Sequence, residues 1–112
     1  MLSKELTAAS TRPLLLSLLE QGDSYGYALV QQVKQLSGGR IEWSEGMLYP
    51  VLHRLEQDGL IEAEWREAEN GKRRKYYQLR RPGRAALAQA REEWVSVNRT
   101  LETLWKTGPH LA

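Results

Sequence analysis

The sequence predicts a mainly α fold with a small β wing (an α+β winged helix-turn-helix) followed by one long C-terminal helix. Three observations carry this. Helical hydrophobic periodicity recurs in four separate segments. Asn70-Gly71 lies between two runs that alternate with the period of a strand. Eight of the sixteen Lys+Arg residues fall between Asn70 and Arg91, a stretch with no Asp or Glu. Asn-Gly favours a tight hairpin turn because both central residues of that turn take φ > 0. Ile61, Ala63 and Trp65 alternate before it, and Lys75, Tyr77 and Leu79 after it.

Taken in order, the chain is helical from Lys4 to Glu20, where Leu6, Ala9, Leu15, Leu16, Leu18 and Leu19 form an apolar stripe. Pro13 lacks an amide hydrogen and predicts a kink, or a restart capped by Ser10 or Thr11. Gln21-Gly22-Asp23 ends this segment. Ser24 is expected to cap a second helix, in which Leu29, Val33 and Leu36 recur and which Gly38-Gly39 stops. Arg40-Ile41-Glu42-Trp43 reads as a short strand. Ser44 caps a third helix to Asp58, with Gly59 as its left-handed terminator. The wing follows, and the last helix runs from about Pro82 to Lys106, before Gly108-Pro109.

With 112 residues, 41% hydrophobic and 27% charged, the chain has the composition of a folded domain that buries proportionately little surface alone. Self-association would help it. Cysteine is absent, which excludes disulfides and thiolate metal sites. Its two histidines, His53 and His110, form no constellation with acids or nucleophiles, so neither a catalytic residue, a metal site nor a cofactor is expected. No apolar run is long enough to span a membrane and no signal peptide is evident; the expected location is the cytoplasm. The net charge is only +2, so the local segregation of cations is the better guide to partners. A cationic hairpin tip suits a polyanion.

The third helix is the candidate reading head. Leu48, Val51, Leu52 and Leu55 cluster on one side at 100° per residue and face a core. The other side presents Gly46, Pro50, His53 and Gln57, flanked by Tyr49 and Arg54. In helix-turn-helix proteins the N-terminal residues of this helix meet base edges, while hydroxyls, amides and cations hold phosphates. Gly46 and Pro50 allow close approach; Tyr49, His53, Arg54 and Gln57 supply donors. Arg54 could alternatively pair with Asp58 at i+4. Glu45 suits the helix dipole but repels phosphate.

These segments resemble the PadR family of bacterial transcriptional regulators. The resemblance rests on Ser24-Tyr25-Gly26-Tyr27, Leu36-Ser37-Gly38-Gly39, the run from Ser44 to Leu55, Asp58-Gly59-Leu60-Ile61, and the run from Gly71 to Leu79, covering roughly residues 14–90. It implies a dimeric winged-helix repressor on double-stranded DNA. Ser44, Gly46, Met47, Tyr49, Pro50, His53, Arg54 and Gln57 of the reading helix, with Lys72, Arg73, Arg74, Lys75 and Tyr76 of the wing, would form the DNA surface. The chain ends without a separate C-terminal domain, which resembles the short subfamily. Two departures stand out: Met47 replaces a usual Thr, and Arg80-Arg81-Pro82-Gly83 lacks the usual hydroxyl cap before the last helix.

In the last helix Leu87, Ala90, Trp94, Val97, Leu101 and Leu104 are spaced 3, 4, 3, 4, 3, a heptad seam. With Leu6 of the first helix, they are the expected homodimer interface. Residues 1–81 would then be the DNA-binding domain and 82–112 the dimerisation helix. Two-fold symmetry would place two reading heads on a pseudo-palindromic operator. Trp94 lies mid-seam among small residues, either as plain interface core or as a ring on which a planar aromatic or phenolic effector stacks. Some members of the family that the chain resembles respond to such compounds, which leaves both uses open. The rival function is a winged-helix module for RNA or for another protein, without operator specificity.

Overall fold

Ser3 starts the first helix: its hydroxyl oxygen accepts the Leu6 amide at 3.1 Å. The computed structural model describes residues 1–107. Its elements are α1 (Lys4–Gln21), β1 (Ser24–Tyr25), α2 (Gly26–Leu36), α3 (Glu45–Gln57), β2 (Ile61–Glu67), β3 (Arg73–Leu79) and α4 (Arg81–Thr107). No restart occurs at Pro13. The Ser10 and Thr11 hydroxyls both donate back to the Thr7 carbonyl, at 3.1 and 2.7 Å, as helix-interior residues do.

Two further expectations are corrected. Ser24 does not cap α2; it is buried and pairs with Tyr77 as half of a two-residue strand. Tyr25 occupies the capping position instead, with no side-chain cap bond. Arg40-Ile41-Glu42-Trp43 is not a strand. Ile41 and Trp43 are buried as its alternation implied, but the backbone finds irregular partners: the Ile41 amide donates to Ser37 Oγ at 2.9 Å, and the Arg40 carbonyl accepts from the Leu2 amide at 3.2 Å. With those groups satisfied locally, no ladder is needed.

The helix stops predicted at Gly38-Gly39 and Gly59 do occur. Gly38 and Gly59 have φ of 63° and 74°. The amides of Gly38 and Gly39 donate to Gln35 and Lys34, and those of Gly59 and Leu60 to Glu56 and Leu55. Both are Schellman endings, in which left-handed glycine lets the chain turn back on the last carbonyls.

The sheet has the order β1-β3-β2, all antiparallel. Ile61 faces Leu79, Ala63 faces Tyr77 and Trp65 faces Lys75, so the two alternating runs share one side as read from sequence. The turn itself differs from the expected two-residue type. Only Gly71 is left-handed, with φ 79°, and the Ala68 amide donates to the Lys72 carbonyl at 2.7 Å. Glu69, Asn70 and Gly71 thus form a three-residue loop. Asn70 contributes through its side chain, whose Oδ1 accepts the Lys72 amide at 3.1 Å.

The core is one cluster in which Leu15, Leu16 and Leu19 of α1 meet Leu29 and Val33 of α2, Leu48, Leu52 and Leu55 of α3, and Ile61, Tyr77 and Leu79 of the sheet. Leu87 of α4 joins it, because the start of α4 packs on α1 and the base of the wing. Gly83 marks the closest approach: a Cβ there would collide with the Leu60 carbonyl oxygen and stand 2.5 Å from Leu79 Cδ1. From Arg91 to Lys106 every residue of α4 is exposed. The helix begins at Arg81 and reaches Thr107; the stop read at Gly108-Pro109 lies outside the described residues.

Candidate nucleic-acid interface

Because Leu48, Leu52 and Leu55 are buried, α3 turns its opposite side outward, and Ser44, Gly46, Tyr49, Pro50, His53, Arg54 and Gln57 are all exposed. Ser44 Oγ accepts the Met47 amide at 3.2 Å, so this face begins on a capped first turn. Met47 departs from the rest: it is half-buried and packs against the core, its thioether being longer and more apolar than a hydroxyl residue. Among the described residues Arg54 pairs with no carboxylate, so the i+4 bridge to Asp58 is not formed.

Lys75 ties the wing to the reading helix. Its Nζ lies 3.7 Å from Glu56 Oε1, across a shallow groove lined by Tyr49, Pro50, His53 and Tyr77. Tyr77 itself is 3% exposed, and burial, followed by the nearby Glu56 carboxylate, pushes its phenol from 10 up to about 12. It is neutral throughout the physiological range and belongs to the core. Lys72 and Arg73 are exposed at the tip; Arg74, Lys75 and Tyr76 are half-buried.

Charge on the wing is less one-sided than β3 alone suggests. The opposing strand carries Glu62, Glu64 and Glu67, and Glu67 faces Arg73 in register. Arg66 and Arg74 also face one another, a destabilising like-charge pair unless each is drawn elsewhere. Arg66 is: its Nη2 lies 2.7 Å from Asp23 Oδ2 and its Nε 3.0 Å from Glu64 Oε1. These two hydrogen bonds, the Asp23 one first, raise its pKa. Arg74 instead stacks over the Tyr25 ring at 4.6 Å and donates to Tyr25 Oη at 3.2 Å. Tyr76 lies between, edge-on to Tyr25 at 5.2 Å and beneath Arg66 at 4.7 Å. Tyr25 and Asp23 were not expected here. Tyr25 lies in the Ser24-Tyr25-Gly26-Tyr27 motif, but a strand of two residues leaves no periodicity that would place it, or Asp23, beside the wing.

An outward helix face with donors, beside a cationic wing, is the arrangement of a duplex-reading domain. The Transcriptional regulator PadR-like family matches residues 15–89 of the chain. This protein belongs to the PadR-like family of transcriptional regulators. A transcriptional regulator of Mycobacterium tuberculosis is 38% identical over 88 residues, which is 79% of this chain and 78% of that protein. Transcriptional regulator YqjI of Escherichia coli is 32% identical over 79% of the chain, which spans only 37% of YqjI's length. The solved structure of a transcriptional regulator from Clostridium thermocellum superposes with a TM-score of 0.83 at 28% identity, covering 93% of this chain and 98% of that one. The fold shared with that structure comprises both α3 and the long α4, and the family is one of transcription factors rather than enzymes.

On α4 of this PadR-like chain the expected seam residues divide. Leu87 is 2% exposed and sits in the chain's own core. Ala90 is half-buried. Trp94, Val97, Leu101 and Leu104 are all exposed, as is Leu6 on α1, with Trp94 at 39%. An apolar groove of about 420 Å³ lies between the two helices, with Leu6, Leu14, Leu87, Trp94 and Val95 in its walls. Arg91 stands at its rim, its Nη2 3.2 Å from Glu20 Oε1. No described helix is long and apolar enough to cross a membrane.

Proposed function

We propose that the protein is a homodimeric repressor of transcription that binds a pseudo-palindromic DNA operator. In this reading residues 1–81 form the DNA-binding domain and α4 the dimerisation helix. Gly46, Pro50, Tyr49, His53, Arg54 and Gln57 approach bases and flanking phosphates, while Lys72, Arg73, Arg74 and Lys75 hold the backbone.

The observation that carries it is the pairing of two exposed faces on one folded chain. The polar face of α3 offers exposed donors on a helix that fits the major groove, and the apolar face of α4 from Trp94 to Leu104 gains by cover from water. A second copy offers that cover through the same face, which is what two-fold association requires. It also sets two reading heads about one helical turn of DNA apart.

Selection of bound duplexes from a random DNA pool tests this directly. An inverted repeat with half-sites about 10 base pairs apart is the expected result. A single unrepeated site, or stronger retention of RNA in competition, would favour the rival module instead. Replacing Lys72, Arg73 and Lys75 by Ala should weaken all duplexes similarly, each lost phosphate contact removing about 0.9 from the slope of log K against log salt.

The groove beside Trp94 suits a planar aromatic or phenolic effector, because its walls are apolar and one of them is an indole. Binding there would shift the two reading heads and lower operator affinity by linkage. In a variant with Trp43, Trp65 and Trp105 replaced by Phe, saturable quenching together with DNA release, both lost in Trp94→Ala, is the expected behaviour. Dissociation of the dimer by Trp94→Ala, with no compound quenching, would leave Trp94 as an interface anchor only.

A further inference from the structure

A second concavity, of about 420 Å³, opens on the other flank of Tyr49, between the start of α2 and the edge of the wing. β1 covers only Tyr76 and Tyr77 of β3, so the edge of β3 from Arg73 to Lys75 is left open there. The lining is made of three cations, Arg73, Arg74 and Lys75, and four aromatic rings, Tyr25, Tyr27, Tyr49 and Trp65. Among the described residues no carboxylate lines it.

The cations are not equivalent. Lys75 is partly neutralised by Glu56, and Arg73 stacks on Trp65 at 5.7 Å. Arg74 makes no ion pair with any described carboxylate, although Arg66 directly across the ladder makes two. Its guanidinium is nevertheless held in place by the Tyr25 ring and hydroxyl. One of five N–H donors is used on Tyr25, which leaves a fixed, uncompensated fork. Tyr25 Oη accepts that bond, so its own hydrogen remains to be donated. Tyr49 Oη projects over Gly26 into the same space.

A cleft lined by cations and hydroxyl donors without a carboxylate, one of the donors a preorganised guanidinium, suits a small anion with several acceptor oxygens. Resting on the DNA-binding reading above, we propose that this cleft seats one phosphodiester of the operator backbone, held by Arg74 and the Tyr25 hydroxyl. Tyr25 thereby joins the DNA interface, and the phosphate it grips sets the register of α3 in the groove. Because the cleft lies between reading helix and wing, one seated phosphate fixes the position of both.

The test uses the full chain and a duplex selected by the wild type. Arg74→Gln should reduce the slope of log K against log salt by about 0.9. Tyr25→Phe keeps the ring beneath Arg74 and should lower affinity about tenfold, as loss of a hydrogen bond to a charged group does. Neutral methylphosphonates placed singly along the duplex should reveal one position per half-site at which the wild type and both variants bind equally. Should Arg74→Gln fail to fold, Tyr25→Phe with the methylphosphonate scan decides alone. A full wild-type slope in folded Arg74→Gln, or no position that erases the Tyr25→Phe deficit, overturns the phosphate seat while leaving DNA binding intact. If the wild type retains no duplex at all, the DNA reading falls and the seat falls with it. Inorganic phosphate that saturates the cleft without competing against DNA would assign it to a free anion and also overturn the proposal.

Discussion

The hydroxyl of Tyr49 rests over Gly26, so that a Cβ built on that glycine would stand 2.8 Å from Tyr49 Oη. The start of α2 and the second turn of α3 are therefore in contact through a position that tolerates no side chain without displacing the ring. Gly26→Ala should turn Tyr49 away from both flanking clefts. A ring at the end of a side chain can yield, so thermal stability should change by no more than about 1 kcal/mol. Affinity for a selected duplex should fall as it does in Tyr49→Ala, and the two changes together should cost little more than either alone. Fully additive losses would show that the contact does not position Tyr49.

Gly83 presents the opposite case, because its neighbour is backbone. The Leu60 carbonyl cannot move aside without disturbing its bond from the Arg80 amide, 3.0 Å away. Gly83→Ala should destabilise the fold by about 2 kcal/mol, lowering Tm by roughly 10 °C. A calorimetric melt unchanged from wild type would rule out the tight seat of α4 on the wing base.

Along α4, Leu87 and Leu101 should fail in different ways. Leu87→Ala opens the core and should cost about 2–5 kcal/mol of stability at any protein concentration. Leu101→Glu should leave the protomer folded but shift sedimentation equilibrium towards the monomer at micromolar concentration. An unaltered mass for Leu101→Glu would remove the α4 face from the dimer interface.

Alkaline pH should expose the burial of Tyr77. Its folded pKa lies above the unfolded value, so the stabilisation is complete below pH 10 and is lost as pH rises through about 12. The two values correspond to roughly 3 kcal/mol. Denaturant midpoints should decline across that window, and Tyr77→Phe should flatten the decline. Absorbance near 295 nm should show one of the five tyrosines ionising late.

Most of this architecture could be read from residue patterns, for identifiable physical reasons. The α3 face was legible because Leu48, Leu52 and Leu55 repeat at the helical period and a buried stripe dictates what is outward. Both glycine stops were legible because left-handed backbone leaves few alternatives. The strand read at Ile41 and Trp43 shows the limit: alternating burial implies an extended chain, but a ladder needs a neighbour, and Ser37 and Leu2 supplied the bonds instead. Leu87 fitted the seam by spacing alone, since periodicity cannot say whose core a stripe enters. The Arg74–Tyr25 pair was invisible because its members are 49 residues apart and joined only by sheet pairing.

From Arg84 to Thr107 α4 contains neither glycine nor proline, and its inner end is wedged by Gly83 against Leu60. Such a rod, about 36 Å long, has no joint. Leu60 also terminates α3 through its bond to the Leu55 carbonyl. The long arm of α4 and the end of α3 therefore meet at a single residue, Leu60, whose carbonyl faces Gly83 and whose amide closes α3.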